Sequence, residues 1–414
     1  MGKWSCTQPA GEARPAPRGG HACVVIGNKV LVFGGADRTA RPFGDIWLLD
    51  REGDVADSYR WQPAGPVTFG PGVVLAPRVG ATLTAVGSSV YLYGGQDPQT
   101  GTLVEDMLML NTHTWKWFKA ETDGPRPPAR HSHCAGPLLG THLLVVGGAG
   151  RESLLGDLWT FDCAARAWHQ PAATGPPPEP CEMASGTMLD AHRILLLGGR
   201  GPAGQVLRSA HIYDGRSFVW TALPIMPFPR CAHTAVAVTL STLLQQQPGI
   251  GQPSGPFMGQ MGSSAPDLNP MPGMQALLHG MGPGTGSPVP QLTPELQLQA
   301  ILHPTGHPKI LLYGGFSGSD VDASLYLLSL ENMGARQLSP EPDSRPPTGV
   351  ADIVPKPRFA HTAVLLQGTT PGSLDMVVIG GVNHHQDLDE VLTWHCDRAD
   401  LQLFQDLNVS SRVI

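Results

Sequence analysis

A short apolar run that ends in Gly-Gly occurs six times in this chain and constrains its fold more than any other feature. The six pairs end at Gly35, Gly95, Gly148, Gly199, Gly315 and Gly381. Nine to eleven residues after each pair, a second strand-like unit begins at a polar residue. These residues are Asp45, Asp106, Asp157, Ser209, Ser324 and Glu390. A unit repeated in this way buries its apolar faces only when neighbouring copies stack.

A further strand precedes each Gly-Gly run, and most of these strands begin with Arg-x-x-His. The full matches are Arg18 with His21, Arg130 with His133, Arg230 with His233, and Arg358 with His361. The second repeat keeps Arg78 but has Ala81, and we align Pro180 and Met183 with these positions in the fourth. We interpret the arginines as structural, bonding backbone carbonyls between repeats, and the histidines as packed and hydrogen-bonded rather than metal ligands.

Four short strands in each of six repeats predict one fold. Each repeat forms a blade of a β-propeller, so the chain is all-β with six four-stranded antiparallel blades over residues 1–402. The strand before Gly-Gly is apolar on both faces, as expected between neighbouring blades. We expect Trp117, Trp168 and Trp220, which follow the inner units at equal spacing, to fill the space between blades.

Trp4 predicts how the ring closes. Gly124 lies seven residues after Trp117, and Gly11 lies seven residues after Trp4. Residues 3–7 therefore read as an outermost strand that precedes the first blade and completes the sixth, which removes an exposed sheet edge. The alternative is the segment LQLFQDL at 401–407. We favour the N-terminal strand, leaving 403–414 as a tail or an extra edge strand.

The recurring Gly-Gly, spaced aromatic and later Trp resemble the Kelch repeat, over nearly the whole chain outside one insertion. The resemblance extends to free-standing Kelch adaptor proteins such as the Rab effector with Kelch motifs. It implies a propeller with a binding face built from loops. In this family that face commonly takes up acidic or phosphorylated peptides through arginine clusters.

Strand direction assigns the candidate binding residues to one face. If the strands of a blade are called a to d from the axis outward, the d–a and b–c loops share one face, and the a–b and c–d turns share the other. The b–c loops carry the candidate partner-binding residues Arg38, Arg41, Arg151, Arg200, Asn383, His384 and His385. Two residues after each repeat arginine stand the small residues Gly20, Gly80, Ser132, Ala232 and Ala360. They add no charge to that face.

The fifth repeat is interrupted between its first two strands. Residues 243–307 are rich in Gly, Pro, Met and Gln. Such a composition buries too little apolar surface to offset its ordering entropy, so we expect a disordered insertion on the face opposite the arginines.

The composition argues against several classes of function and of cellular location. The net charge of −7 gives no basic footprint for nucleic acid. No apolar run reaches membrane-spanning length, and the seven irregularly spaced cysteines suggest neither a disulfide framework nor a zinc site. We therefore expect a cytoplasmic protein, with the nucleus as the other compartment, without membrane insertion and without a cofactor or metal.

The sequence favours a binding role over catalysis. It contains no nucleophile elbow, P-loop or phosphatase signature, and His131, His133, His384 and His385 lack carboxylates at metal-ligand spacing. We interpret the chain as a non-enzymatic adaptor or scaffold that binds another protein, such as an acidic or phosphorylated segment. The alternatives are a substrate-receptor subunit of a ubiquitin ligase and a metal-dependent propeller enzyme.

Overall fold

The computed structural model describes residues 2–7, 13–51, 58–65, 67–122, 124–238, 308–338, 353–369 and 373–396. These residues form 25 β-strands and no helix. No helix of the described residues could therefore span a membrane. The predicted insertion, and the tail or edge strand within 401–414, lie outside the described residues.

The first three blades follow the order of the repeats. Blade one contains β2 (Ala22–Ile26), β3 (Lys29–Phe33), β4 (Ile46–Arg51) and β5 (Tyr59–Pro63). Blade two contains β7 (Thr82–Val86), β8 (Ser89–Tyr93), β9 (Met107–Asn111) and β10 (Lys116–Lys119), and the short β6 (Thr68–Phe69) pairs in parallel with β10. Blade three contains β11 (Cys134–Leu138), β12 (His142–Ala149), β13 (Leu154–Asp162) and β14 (Ala167–His169). Only β6 departs from the predicted four strands here.

The other three blades complete the ring. Blade four contains β15 (Ser185–Met188), β16 (Arg193–Leu197), β17 (Ala210–Asp214) and β18 (Val219–Ala222). Blade five contains β19 (Thr234–Val238), β20 (Lys309–Tyr313), β21 (Leu325–Ser329) and β22 (Ala335–Gln337). Blade six contains β23 (Thr362–Gln367), β24 (Leu374–Ile379), β25 (Val391–Cys396) and, outside them, β1 (Lys3–Thr7). The six-bladed propeller closed by an N-terminal strand is confirmed.

The strand before Gly-Gly is buried on both faces, as its composition predicts. In β3, Leu31 and Phe33 pack into a cluster with residues of blade two, including Trp117. Val30 and Val32, on the other face of the same strand, pack with residues of blade six. Each blade is thus sandwiched between two others, which explains why the alternation of polar and apolar residues is lost there.

The second glycine of each pair bonds the next blade. Its N–H donates to a backbone carbonyl of that blade at 2.8–2.9 Å in all six cases. Gly35 donates to Arg78 in this way, and Gly381 of blade six donates to Arg18 of blade one. A Cβ on Gly34 would lie 2.6 Å from the Arg78 carbonyl oxygen, and Gly34 has a φ of 77°. The close approach and the left-handed backbone together require glycine.

The repeat arginines are buried and structural, but their side chains bond within their own blade. Arg130 Nη1 donates to the Gly147 carbonyl at 2.9 Å, and its two terminal nitrogens bind both oxygens of Asp157. The bond between blades is made by the arginine's own backbone carbonyl. Equivalent ion pairs join Arg18 to Asp45, Arg78 to Asp106, Arg230 to Asp322 and Arg358 to Glu390.

Blade four lacks this ion pair, and its alignment needs a correction. The Gly148 N–H donates to the Cys181 carbonyl, as the other Gly-Gly pairs donate to the repeat arginines. Glu182 forms a β-bridge with Arg200, as Gly19, the residue after Arg18, does with Ala36. Cys181 and Ala184, not Pro180 and Met183, therefore occupy the arginine and histidine positions. Ser209 stands where the acid would be. Both partners are missing together, so no charge is left buried alone.

Three of the four repeat histidines join neighbouring innermost strands. The Nε2 atoms of His21, His133 and His361 lie 2.8–2.9 Å from threonine hydroxyls of the preceding blade, at Thr362, Thr82 and Thr234. In His233, neither ring nitrogen has a hydrogen-bond partner among the described residues. Ser185 occupies the position of the threonine, but its Oγ accepts a bond from the Ala235 N–H.

Candidate functional site

A closed ring of backbone hydrogen bonds surrounds one opening of the central channel. In each blade, the residue two positions after the arginine position (Cys181 in blade four) donates its N–H to the equivalent carbonyl of the preceding blade, at 2.7–3.0 Å. We call these six residues the collar: Gly20, Gly80, Ser132, Met183, Ala232 and Ala360. Their φ angles lie between 51° and 67°, a region that costs non-glycine residues energy. Except at Met183, the side chains are small, so the opening is bordered by backbone.

A second tier of residue pairs lies around the collar. In each blade the residue after the arginine position bridges the residue after Gly-Gly. The pairs are Gly19–Ala36, Val79–Gln96, His131–Ala149, Glu182–Arg200, Cys231–Phe316 and Phe359–Val382. The residue types in this tier differ from blade to blade. Blade four supplies an ion pair, whereas blades five and six supply two half-buried phenylalanines and a valine.

Arg38 and His384 lie together between blades one and six. The Arg38 guanidinium donates to the His384 carbonyl at 2.8 Å, and the Arg38 N–H donates to Asp387 at 3.0 Å. These residues are more than 340 positions apart in the sequence. Arg38 therefore joins two loops across the point where the ring closes.

The other predicted residues of these two loops make contacts within their own loops or are exposed. Asn383 accepts bonds from the N–H groups of His385 and Gln386, and its amide donates to the Pro357 carbonyl. Arg41 lies on the same loop as Arg38, with its guanidinium 5.8 Å from the ring centre of Phe43. The Arg41 side chain is exposed, and so is that of His385.

Arg151 and Arg200 differ in how firmly they are held. Arg200 donates through two nitrogens to Glu182, whose side chain is only 7% exposed. Arg151 is 79% exposed and lies 3.9 Å from Glu105, which is itself 72% exposed. The predicted arginines therefore lie on the loop face as expected, but Arg38 and Arg200 are committed to neighbouring groups.

His131 adds a neutral polar group beside the Glu182–Arg200 pair. Burial lowers the pKa of His131, the Glu182 carboxylate opposes this, and Arg200 lowers it further. Its Nδ1 lies 3.0 Å from the Ser132 hydroxyl. The lowered pKa favours the uncharged ring at neutral pH, so the second-tier residues His131, Glu182 and Arg200 together carry no net charge.

Below the collar, the channel forms a cavity of about 240 Å³ lined by the innermost strands of all six blades. Hydroxyls of Thr82, Ser185 and Thr362 are among its polar groups. Within the described part of the chain, no three His, Cys, Asp or Glu side chains form a potential metal site.

The half-buried phenylalanines of the second tier were not predicted from the sequence. Phe316 directly follows a Gly-Gly pair, and Phe359 directly follows a repeat arginine. Comparing these two positions across the six repeats would have singled them out, since small or polar residues occupy most of the others. The Phe359 ring lies 6.5 Å from that of His384.

Comparison with known proteins places the chain in a family. Residues 56–244 match the sequence model of the KLHDC2/KLHL20/DRC7 Kelch-repeats domain, and residues 17–65 match the Kelch motif. This chain belongs to the Kelch-repeat family. The two matches together run from residue 17 to residue 244, and the blades beyond them repeat the same Gly-Gly and collar geometry.

Several curated proteins are similar to this chain over part of its length. Host cell factor of Drosophila melanogaster is 29% identical over 197 residues, which is 43% of this chain and 13% of that protein. From Arabidopsis thaliana, Acyl-CoA-binding domain-containing protein 4 is 27% identical over 249 residues, or 57% of this chain and 35% of that protein. Serine/threonine-protein phosphatase BSL2, also from Arabidopsis thaliana, is 30% identical over 239 residues, or 51% and 23%. The aligned region spans about a third of these relatives or less.

Proposed function

We propose that this Kelch propeller is a non-enzymatic adaptor or scaffold that holds a segment of a partner protein on its loop face. The observation that carries the proposal is the pair Phe316 and Phe359, half-buried beside the collar among polar loops. Partner proteins commonly bury aromatic side chains of this kind at the centre of an interface. The relatives include a host cell factor, an acyl-CoA-binding domain-containing protein and a protein phosphatase, and similarity to this chain across proteins so different supports a binding role for the common part.

The geometry around the two phenylalanines suits a bound segment. The small collar residues Ala232 and Ala360 leave the opening unobstructed next to them. Both phenylalanines are fixed through their backbone, because Phe316 bonds Cys231 and Phe359 bonds Val382. A rigid backbone with half-exposed aromatic rings loses little conformational entropy when a partner covers it.

We predict that replacing Phe316 and Phe359 together with serine weakens partner binding by about thirty-fold or more, the usual effect of removing an interface hot spot. Affinity capture with the wild-type chain would identify the partner. Titration of the purified partner against each variant would then measure the affinity. The melting temperature should change little, because both side chains are only half-buried.

Phe218 provides the matched control. It is 48% exposed and lies in the c–d turn of blade four, on the opposite face. Phe218→Ser should leave the partner's affinity unchanged. Equal affinity of the wild type, the double variant and the control would place the interface elsewhere and overturn the proposal.

Within this function we propose that the partner segment is acidic or phosphorylated and meets Arg41 and Arg151. All four loop arginines are exposed, but the Arg38 and Arg200 side chains donate hydrogen bonds to neighbouring groups. Arg151 has only a long 3.9 Å contact with the exposed Glu105. Arg41→Ala with Arg151→Ala should weaken binding by about ten-fold at low salt and flatten its salt dependence. Arg216→Ala, at an exposed position in the c–d turn of blade four, should change neither quantity. An unchanged salt slope in the double variant would contradict an acidic partner.

A further inference from the structure

The outer edge of β25 is a strand-binding site with a defined register. All five residues of β1 pair antiparallel with β25, from Lys3 opposite His395 to Thr7 opposite Val391. No other strand of the described residues pairs with β1. β1 is therefore a short extended segment that pairs with one edge of a sheet, and such pairing is a common mode of peptide recognition.

Two side chains of β1 enter specific surroundings. The Trp4 ring packs on Tyr313 of blade five, with ring centres 5.0 Å apart. The Ser5 Oγ lies 3.0 Å from His395 Nε2, and His395 Nδ1 lies 2.7 Å from Asp375 Oδ1. The Ser5 hydroxyl also lies within donating distance, 3.4 Å, of the Thr393 carbonyl. An apolar ring and a hydroxyl in adjacent positions thus define the segment that fits.

The receiving side of this site is held by groups outside β1. Asp375 is 2% exposed, and Arg51 of blade one donates to its second oxygen. Arg51 also donates to the hydroxyl of Tyr59. His395 is therefore oriented by Asp375 and blade one, and Tyr313 by blade five. Preorganised surroundings of this kind favour binding of a separate strand.

We infer that this edge also accepts β1 from a second copy of the chain, giving a strand-exchanged dimer. The segment Lys3–Thr7 itself fits the register and makes the contacts with Tyr313 and His395. A second copy carries the same five residues, and exchange of an identical element is a low-cost route to a dimer. This inference is independent of the loop-face function.

Closure within one chain competes with exchange. A strand tethered to its own site acts at an effective concentration in the millimolar range, so the closed monomer dominates in dilute solution. Weakening the chain's own β1 should therefore open the edge to a strand added from outside. Refolding at high protein concentration should favour exchange.

The first test uses a fluorescent peptide of residues 2–8 and full-length chains, with anisotropy as the readout. The peptide should bind the Trp4→Ala chain about ten-fold or more tightly than it binds the wild type, whose own β1 competes. A peptide carrying Trp4→Ala should bind both chains more weakly than the native peptide, because it lacks the ring that packs on Tyr313. Equal binding of the native peptide to both chains would overturn the strand-binding site.

Two further measurements complete the test. If Trp4→Ala loses its cooperative melting transition, Ser5→Ala replaces it, with a smaller but measurable preference expected. The wild-type chain, refolded from urea at high and at low concentration, should give dimer and monomer respectively on size exclusion with light scattering. Monomer at both concentrations would overturn exchange between copies, even if the peptide binds.

Discussion

Replacing Arg130 with methionine should lower the free energy of unfolding by about 3–5 kcal/mol, the usual effect of breaking a buried ion pair. Arg130 is fully buried and binds the carbonyls of Pro128 and Gly147 as well as both oxygens of Asp157. Methionine fills similar space but leaves the Asp157 carboxylate with a single side-chain donor, Trp159. Urea unfolding monitored by tryptophan fluorescence would measure the change.

Arg151→Met is the matched control, because Arg151 is 79% exposed in the same blade. Its effect should stay within about 0.5 kcal/mol, as for most surface substitutions. Equally small effects of both substitutions would show that the buried arginines are not structural. A double change, Arg130→Met with Asp157→Ser, should recover part of the loss. Blade four, with Cys181 and Ser209 at the equivalent positions, lacks both charges and keeps the same backbone bonds.

Acidification from pH 6.5 to pH 5 should destabilise the propeller strongly through its buried histidines. Burial, with the nearby arginines, lowers the pKa of His21, His133 and His233 to about 3, and that of His361 well below 6.5. In the unfolded chain these histidines bind protons as the pH falls through 6.5, whereas in the folded chain they stay unprotonated. Stability therefore falls with pH by up to about 1.4 kcal/mol per unit for each histidine. Because the unfolded histidines are already half protonated at pH 6.5, the four together remove about 6–7 kcal/mol over this window, comparable with the whole stability of many domains.

The window from pH 6.5 to pH 5 isolates the histidines from the paired carboxylates. Burial raises the pKa of Asp157, but the bonds and charge of Arg130 outweigh it and keep that pKa below 3.8. The stability that this carboxylate contributes is therefore lost only at lower pH. Unfolding free energies from urea titrations at pH 7.5, 6.5, 5.75 and 5 would give the slope.

His133→Gln tests the assignment directly. The variant should be less stable than the wild type at pH 7.5, yet its pH slope should be shallower by about one proton between pH 6 and pH 5. The control is His113→Gln, at an exposed position in the c–d turn of blade two, which should keep the wild-type slope. A His133→Gln slope parallel to that of the wild type would rule out buried neutral histidines as the cause.

The fold could be predicted because its information is local and repeated. At five of the six Gly-Gly pairs the backbone of the next blade comes too close for a Cβ, and six pairs in register define six blades. The spacing of Trp4 and Gly11 predicted the closing strand in the same way. Blade four was misaligned by one residue because it has neither the arginine nor the histidine that fixed the register elsewhere.

The site was harder to predict because it depends on contacts between distant loops. The positions of the arginines on the loop face followed from strand direction, but the bonds of Arg38 to Asp387 and of Arg200 to Glu182 did not. Such pairings are set by how two loops meet across the ring. The residue differences at Phe316 and Phe359 can be read from the repeats, but their places in the second tier beside the collar are a property of the folded ring.

The closing strand imposes an order of events on synthesis. β1 emerges from the ribosome before every other strand of the propeller, yet Ser5 bonds a residue 390 positions later. At translation rates of about 5–20 residues per second, β1 waits about 20–80 s before its partner strand exists. Throughout that time the nascent chain carries an unmatched strand with an apolar tryptophan. We therefore expect folding in the cell to require that this segment be shielded until blade six is complete.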